Sequence, residues 1–239
     1  PPDGPVFGHS WANGTNGRFQ VGQIGEVGVG NQAVRWEGSA DSMLRLPTPG
    51  LFAGEGRATT DEQAVGTAFD SEMRMHAVLW SVAESRVTFT DLHSANYFHT
   101  QAHALGAVQQ VGFGTFENVF FDGPVRALLW QGSADSLVDL RPEGYYSSVA
   151  AGTNDHAQVG FVQPHPGGWD ARRAAFWAGS ADSFVDLHAH LEGEFMASQA
   201  ISIDADGVIH GMGLRPNGNG HPMWHAGVWT PVAANCPAD

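Results

Sequence analysis

The pattern Ala-x-x-Trp recurs five times along the chain, and this recurrence constrains the fold more than any other feature of the sequence. Successive tryptophans of the pattern are 44, 50, 47 and 52 residues apart, so the 239 residues hold five units of about 48 residues. A fixed period of this length is typical of folds in which each unit is one supersecondary structure. The five copies are Ala33–Trp36, Ala77–Trp80, Ala127–Trp130, Ala174–Trp177 and Ala226–Trp229.

Two further landmarks keep their order relative to the tryptophan. Upstream of it, a short apolar run ends in glycine, as in Val21-Gly22 and Val111-Gly112. Downstream of the first, third and fourth tryptophans stands Gly-Ser-Ala-Asp-Ser, followed by an alternating run such as Leu137–Leu140. Asp and Ser suit side-chain-to-backbone hydrogen bonds in a tight turn, so this copied motif is interpreted as structural.

Each unit is predicted to form four short strands. The runs are 4–7 residues long and rich in Val, Phe and Trp, with Gly, Asn and Asp between them, and no long segment has a helical period. The first strand of a unit is predicted at Ser10–Thr15, Ser148–Thr153 or Ser198–Asp204. The second strand carries the Val-Gly landmark, the third the Ala-x-x-Trp run and the fourth the Val-Asp-Leu run.

Four-stranded units at this period are typical of a β-propeller, in which each unit is a blade. The expected fold is therefore an all-β, five-bladed β-propeller with four antiparallel strands per blade. A stacked β-solenoid is the less favoured alternative, because solenoid coils are usually shorter. The predicted single domain covers 1–239, with blades at 5–46, 47–92, 93–140, 141–187 and 188–239.

The repeated Ala and Trp have different expected roles at the contacts between blades. The Trp is expected to fill the space between adjacent blades, and the Ala to let the neighbouring sheet approach closely. Two ways of closing the ring are open. Either Thr230–Asp239 forms the last strand and the five complete blades meet by packing, or Pro5–Phe7 supplies the outer strand of the last blade. The first is favoured, although Thr230–Asp239 is a poor strand sequence.

The charge composition excludes several classes of partner. All eleven basic residues are Arg, against 25 acidic residues, and the net charge is −14. This balance argues against binding nucleic acid through its phosphates and against docking on anionic lipid. No apolar run approaches the roughly 18 residues of a membrane span. The single Cys236 cannot form an internal disulfide, which fits a cytosolic protein or a secreted bacterial protein that avoids thiols. The start at Pro1-Pro2, without Met or a hydrophobic signal segment, looks processed or trimmed.

The repeats resemble the bacterial extracellular repeats of the HAF family. That family's unit contains Ser-x-Ala, Ile-Asn, Val-Gly, His-Ala-Phe-Leu-Trp and Asp-Leu. The copies that match it best here are Ser198–Asp204, His76–Trp80 and His225–Trp229. The resemblance implies a propeller-like repeat in a secreted or cell-surface bacterial protein and implies no reaction. In size and blade number the chain is also similar to five-bladed tachylectin-type lectins, an analogy at the level of fold only.

Aromatic residues recur in the connections that follow the fourth strands, on the face of the propeller where binding loops are expected. Aromatic rings with polar edges suit stacking on sugar rings, so these residues are candidate ligand contacts. The competing interpretation, which the sequence favours, is that a recurrent aromatic plugs the gap between blades. The candidates are Phe52, Tyr97, Phe98, Tyr145, Tyr146 and Phe195.

The connections between second and third strands vary in length and content, as binding loops on a rigid scaffold do. Trp169 and Trp224 lie in these connections, outside the repeated Trp position, so packing between blades explains them less well. Arg172 and His221 are further candidate ligand contacts in the same two connections. These four residues complete the predicted binding set.

Histidine is a second surplus, with twelve in the chain, several of them on the same predicted face. Imidazoles close in space hold transition metals, so His188, His190 and His221 are weak candidates for ligands of a divalent metal. Their spacing matches no known ligand motif, and no cofactor is predicted. Glycosidases on five-bladed propellers use acidic residues of the channel. The predicted channel strands carry almost none, which disfavours that reaction.

These observations favour a secreted or surface binding module with a glycan, or another small polar ligand, as its partner. Near-equivalent blades would offer several weak sites and raise avidity. Two alternatives stay open: a metal-assisted enzyme that uses the histidine clusters, and a structural or protein-interaction propeller. No catalytic residue is assigned, and the oligomeric state is not predicted.

Overall fold

The computed structural model describes residues 7–83, 86–118, 123–191, 195–217 and 221–231. Within these ranges the chain forms five antiparallel sheets and a few 3₁₀ turns of three or four residues, which confirms the all-β prediction. No helix among these residues has the length and apolar character needed to cross a membrane.

Each sheet is a meander whose strands lie side by side in chain order, four strands in the first four sheets and three described strands in the fifth. The strands are β1 (Phe7–Thr15), β2 (Gln20–Glu26), β3 (Gly30–Trp36) and β4 (Leu44–Arg45) in the first sheet, β5 (Ala53–Thr59), β6 (Gln63–Phe69), β7 (Met75–Ala83) and β8 (Arg86–Asp91) in the second, β9 (His99–Leu105), β10 (Gln110–Thr115), β11 (Val125–Trp130) and β12 (Val138–Asp139) in the third, β13 (Ser147–Thr153), β14 (Gln158–Gln163), β15 (Arg173–Trp177) and β16 (Val185–Asp186) in the fourth, and β17 (Ala197–Ile203), β18 (Ile209–Arg215) and β19 (Met223–Trp229) in the fifth.

The repeated tryptophan lies at the contact between consecutive sheets. Trp80 is fully buried and shares an apolar cluster with Val21, Ala33 and Leu46 of the preceding sheet. Trp130 and Trp177 are equally buried in the two clusters that follow along the chain. The repeated alanine therefore lies where the next sheet approaches, and the tryptophan of that next sheet fills the space beside it.

The Val-Gly landmark has a steric cause that involves the first strand of each sheet. The pairing of β9 with β10 shifts register next to Gly112, and the carbonyl oxygen of Gln101 then lies over this glycine. A Cβ atom built on Gly112 would be 1.8 Å from that oxygen. The corresponding distances at Gly22, Gly66, Gly160 and Gly211 are 1.9–2.2 Å, so each sheet needs a glycine at this point.

The Gly-Ser-Ala-Asp-Ser motif forms the turn between third and fourth strands. In the third sheet Gly132 has φ +82°, a conformation that favours glycine. The last serine holds the turn: the Gln131 N–H donates to Ser136 Oγ at 2.7 Å, and this hydroxyl donates to the Ser133 carbonyl at 2.6 Å. The first and fourth sheets repeat these bonds, which supports the structural interpretation of the motif.

Hydrogen bonds between sheets join neighbours along the chain. Asn13 of the first sheet donates to the Gly56 carbonyl of the second, and Asn154 of the fourth to the Asp204 carbonyl of the fifth. Among the described residues no hydrogen bond joins the fifth sheet to the first. The strand predicted at Thr230–Asp239 lies outside the described residues from position 232 onward. Of the alternative closing strand, Pro5–Phe7, the first two residues lie outside the described residues as well.

Candidate functional site

A pair of tryptophans lies where the connections of the fourth and fifth sheets meet. Trp169 begins a 3₁₀ turn, Trp169–Ala171, just before β15, and Trp224 lies in β19. Their ring centroids are 6.0 Å apart with the planes inclined at 45°. Trp169 is 52% exposed and Trp224 is half-buried. Two of the three tryptophans that stand outside the repeat in the sequence therefore meet in the structure.

A cleft of about 300 Å³ adjoins the loop that carries Trp169, because Gly168 and Asp170, the chain neighbours of Trp169, line it. Its other walls include the polar side chains of His165, Arg173 and His188 and the exposed thioether of Met196. The cleft thus offers hydrogen-bond donors and acceptors next to the loop that carries Trp169.

The loop that presents Trp169 is fixed from within. The Gln163 side-chain amide donates to the carbonyls of Gly167 and Gly168 at 3.1 and 3.0 Å. The Ala171 N–H donates to the Gly168 carbonyl at 3.1 Å and closes the 3₁₀ turn. An indole held on a loop of this kind loses little conformational entropy when it binds a ligand.

Arg172 holds the fourth and fifth sheets together. Its backbone carbonyl accepts from the Ser198 N–H at 2.9 Å, and its Nη1 donates to Gln199 Oε1 at 2.8 Å. Its guanidinium lies 4.3 Å from the centroid of the Phe161 ring. Burial lowers the pKa of Arg172. The side chain therefore anchors the connection that carries Trp169.

His188 belongs to a hydrogen-bonded arrangement that occurs twice. Ser198 Oγ accepts from the Ala174 N–H at 2.9 Å and lies within hydrogen-bond distance of His188 Nδ1, at 2.8 Å. Burial lowers the pKa of His188, which favours the neutral form of the ring. Thr100 and His93 repeat the arrangement after the second sheet, and burial together with His76 lowers the pKa of His93 to about 4.

The three candidate metal ligands do not gather into one group. His188 is bound to Ser198, whereas His190 and His221 are exposed at the surface. The His221 N–H donates to Asn217 Oδ1 at 2.9 Å. Across the described part of the chain, no three His, Cys, Asp or Glu residues are placed to hold a metal ion together.

The aromatic candidates after the fourth strands divide into two positions. Phe52, Phe98 and Tyr146 occupy the outer position. There the backbone N–H of the aromatic residue donates to the carbonyl of the last residue of the second strand in the sheet that follows. In the fifth sheet the outer position belongs to Met196, whose N–H donates to the Leu214 carbonyl at 2.8 Å. The equivalent residue is thus not aromatic, and only the hydrogen-bond register identifies it.

The preceding residue of each connection points inward. Tyr97 is buried in the cluster around Trp130, and burial raises its pKa to about 12. Tyr145 packs against the next cluster along the chain, with its ring centroid 5.0 Å from that of Phe184. Phe195 covers Gly213, where a Cβ atom would be 2.5 Å from its ring. Tyr97 and Tyr145 therefore serve the packing between sheets, whereas Phe195 covers the second strand of its own sheet.

Comparison with known proteins adds little to this geometry. No family model matches the chain, and no curated protein matches it. A solved structure described as a complex of BT0996 and RGII is 12% identical to the chain with a TM-score of 0.36, and the alignment covers 96% of this protein and 87% of that one.

Proposed function

We propose that the protein binds carbohydrate and that a sugar ring stacks on the tryptophan pair Trp169–Trp224. The observation that supports this most is the exposure of Trp169, whose indole is 52% exposed although it lies beside Trp224. Indole faces are flat and apolar with a polar edge, and they match the apolar face of a pyranose ring. The rigid loop under Trp169 supplies the ordered platform that stacking needs.

The polar side chains of the adjoining cleft suit the hydroxyl groups of such a ligand. Asp170 is an acceptor, Arg173 a donor, and His165 either, and all three line the cleft next to the loop that carries Trp169. A volume of about 300 Å³ is at the small end of ligand sites, which fits one or two sugar units. Since both tryptophans lie outside the repeat, the proposal gives each chain one such site and not one per sheet.

Replacing Trp169 by alanine is expected to weaken glycan binding at least about tenfold, since an exposed aromatic anchor typically contributes more than about 1.4 kcal/mol. A glycan array identifies the ligands of the wild-type protein, and calorimetry then compares the variants. Phe116→Ala is the control, because Phe116 is an aromatic residue that is 45% exposed and lies in the corresponding connection of the third sheet, after β10. An equal loss in both variants, or a wild-type protein that binds no glycan on the array, would contradict the proposal.

We also propose that the five sheets are the blades of a five-bladed propeller, with the fifth sheet packed on the first. The support is the repeated interface: Leu79 and Leu129 each share a cluster with the tryptophan of the next sheet. Val228 holds the same position in the fifth sheet and is 57% exposed, while Trp36 of the first sheet borders an open cleft of about 470 Å³. Closure brings these two surfaces together.

A double-mutant cycle between Trp36→Ala and Val228→Ala tests closure. Residues in contact are expected to show a coupling energy of about 0.5 kcal/mol or more, measured by urea unfolding of protein that light scattering shows to be monomeric. Leu79→Ala with Trp130→Ala is the positive control, since both residues lie in one cluster. If the stability losses of Trp36→Ala and Val228→Ala simply add while the control pair shows coupling, the fifth sheet does not pack on the first, and the closure proposal is wrong.

A further inference from the structure

The interface between the second and third sheets differs from the next interface in one of the groups that accept backbone N–H donors. In it, the Met75 N–H donates to His99 Nδ1 at 3.0 Å. At the equivalent point between the third and fourth sheets, the Val125 N–H donates to Ser147 Oγ at 3.2 Å. A hydroxyl oxygen accepts whatever the pH of the solution, whereas an imidazole nitrogen accepts only while it carries no proton. An ionisable acceptor thus stands where the next interface has one that does not ionise.

His99 is held in the neutral form that this bond needs. The residue is fully buried, and its Nε2 lies 3.3 Å from Asn118 Oδ1, an acceptor, so the ring proton is placed on Nε2. A second proton would turn Nδ1 into a donor that faces the Met75 N–H, which is also a donor. Burial lowers the pKa of His99, in agreement with this geometry. Protonation of His99 therefore breaks a hydrogen bond between the two sheets.

His93 is a second imidazole in the same interface. Its Nδ1 lies 2.9 Å from Thr100 Oγ1, and this hydroxyl accepts from the Ala77 N–H, also at 2.9 Å. The His93 ring stacks on the ring of His76, with the centroids 4.0 Å apart and the planes inclined at 25°. Burial, and after it the neighbouring His76, lower the pKa of His93 to about 4. A proton on His93 would thus place a positive charge in a half-buried contact between the sheets.

The carboxylates near these rings are engaged elsewhere. Asp91 Oδ2 lies 2.8 Å from His76 Nδ1, and Asp70 Oδ2 lies 3.5 Å from His76 Nε2. The same Asp70 oxygen lies 2.7 Å from Arg74 Nε. Within the described ranges, no carboxylate oxygen lies within 4 Å of a ring nitrogen of His93, so a proton there has no anion in direct contact. The ionisable groups that face the two imidazoles are Asp70, Arg74, His76 and Asp91.

We propose that the interface between the second and third sheets is a proton-sensitive joint, which stays closed while His93 and His99 are neutral and loosens when they take up protons. In the unfolded chain both residues ionise at the ordinary pKa of about 6.5, so the unfolded state binds more protons than the folded state at mildly acidic pH. Stability is therefore fully present above about pH 6.5 and is lost as the pH falls toward about 4, the folded-state pKa of His93. The inference depends neither on glycan binding nor on closure of the ring.

Urea unfolding at about pH 7 and about pH 5, at constant ionic strength, tests this joint. By linkage, one histidine with the pKa of His93 raises the unfolding equilibrium constant about twentyfold between these two pH values. His93→Gln is therefore expected to reduce the rise seen in the wild-type protein at least about fivefold, and His99→Ser at least about threefold. Serine is the residue of the next interface at this position, so it supplies an acceptor that does not ionise. His190→Gln, at an exposed histidine, is the matched control and is expected to leave the rise unchanged.

The comparison between variants is decisive, because burial also lowers the pKa of His103 and of His188 elsewhere in the chain. Hydrogen exchange followed by mass spectrometry, corrected for the intrinsic rate at each pH, shows where the wild-type protein opens. Between about pH 7 and about pH 5, β7 and β9 are expected to lose protection at least about threefold more than β11 and β13, which form the next interface. This measurement decides the matter even if a variant does not fold. A rise in both variants as large as in the wild type, or an equal loss of protection at the two interfaces, would overturn the proposal.

Discussion

Replacing Trp80 by alanine is expected to lower the free energy of unfolding by about 4 kcal/mol, within the range of about 3–5 kcal/mol for fully buried aromatic side chains. The indole is enclosed between the first and second sheets with Val21 and Ala33, and a cavity there cannot be closed without moving a sheet. Its Nε1 also donates to the Pro47 carbonyl at 2.7 Å, so the variant leaves that carbonyl without its partner. Equilibrium unfolding in urea, followed by circular dichroism, measures the loss.

Trp169→Ala is the control for this prediction, because it makes the same substitution at an exposed side chain. Its effect on the free energy of unfolding is expected to stay within about 0.5 kcal/mol. Similar losses for Trp80 and Trp169 would mean that burial between the sheets does not decide the stability. The same pair of variants separates folding from binding, since only the Trp169 variant is expected to lose glycan while it remains folded.

Replacing Gly112 by alanine is expected to cost about 3 kcal/mol or more, although only one methyl group is added. The new Cβ would lie 1.8 Å from the Gln101 carbonyl oxygen, and this oxygen belongs to backbone that β10 holds in register. Neither partner can rotate away as a side chain could, so the first strand must shift. Overpacking of a rigid core typically costs about 1–3 kcal/mol, and a backbone clash lies at or above the upper end.

Gly227→Ala provides the matched control in β19 of the fifth sheet. Among the described residues nothing lies within 4 Å of the Cβ that this substitution adds. Alanine there is expected to be neutral or to stabilise the protein by up to about 1 kcal/mol, because it lowers the conformational entropy of the unfolded chain. Urea unfolding of both variants decides the matter: a Gly112 variant as stable as the Gly227 variant would show that the repeated glycine has no steric role.

The repeat predicted the secondary structure well because one physical requirement recurs in each unit. The Ala-x-x-Trp spacing alternates a small and a large residue on opposite faces of a strand, and this marks a sheet covered on both sides. The role of the Val-Gly landmark was not predictable, since it depends on a bulge in a different strand. Sequence patterns report on a residue's own strand far better than on the backbone that lies over it.

The candidate site was predictable only in part. Trp169 and Trp224 stand out because they break the repeat, and the structure brings their rings together. Arg172 has the right chemistry for a ligand contact, but it is engaged between two sheets, and nothing in its sequence context shows this. Met196 was missed because it fills an aromatic position with a different side chain.

The joining of sheets that are neighbours along the chain has a consequence for how the protein folds. Each interface brings together segments separated by about one repeat, so the entropy of loop closure is small at every step. Contacts of low sequence separation favour rapid folding that begins at any pair of units and spreads to both ends. The ring closure proposed above would add one expensive step, contact between the first and fifth sheets, because the loop that it closes spans most of the chain. A protein built in this way can order its central units first and its terminal units last.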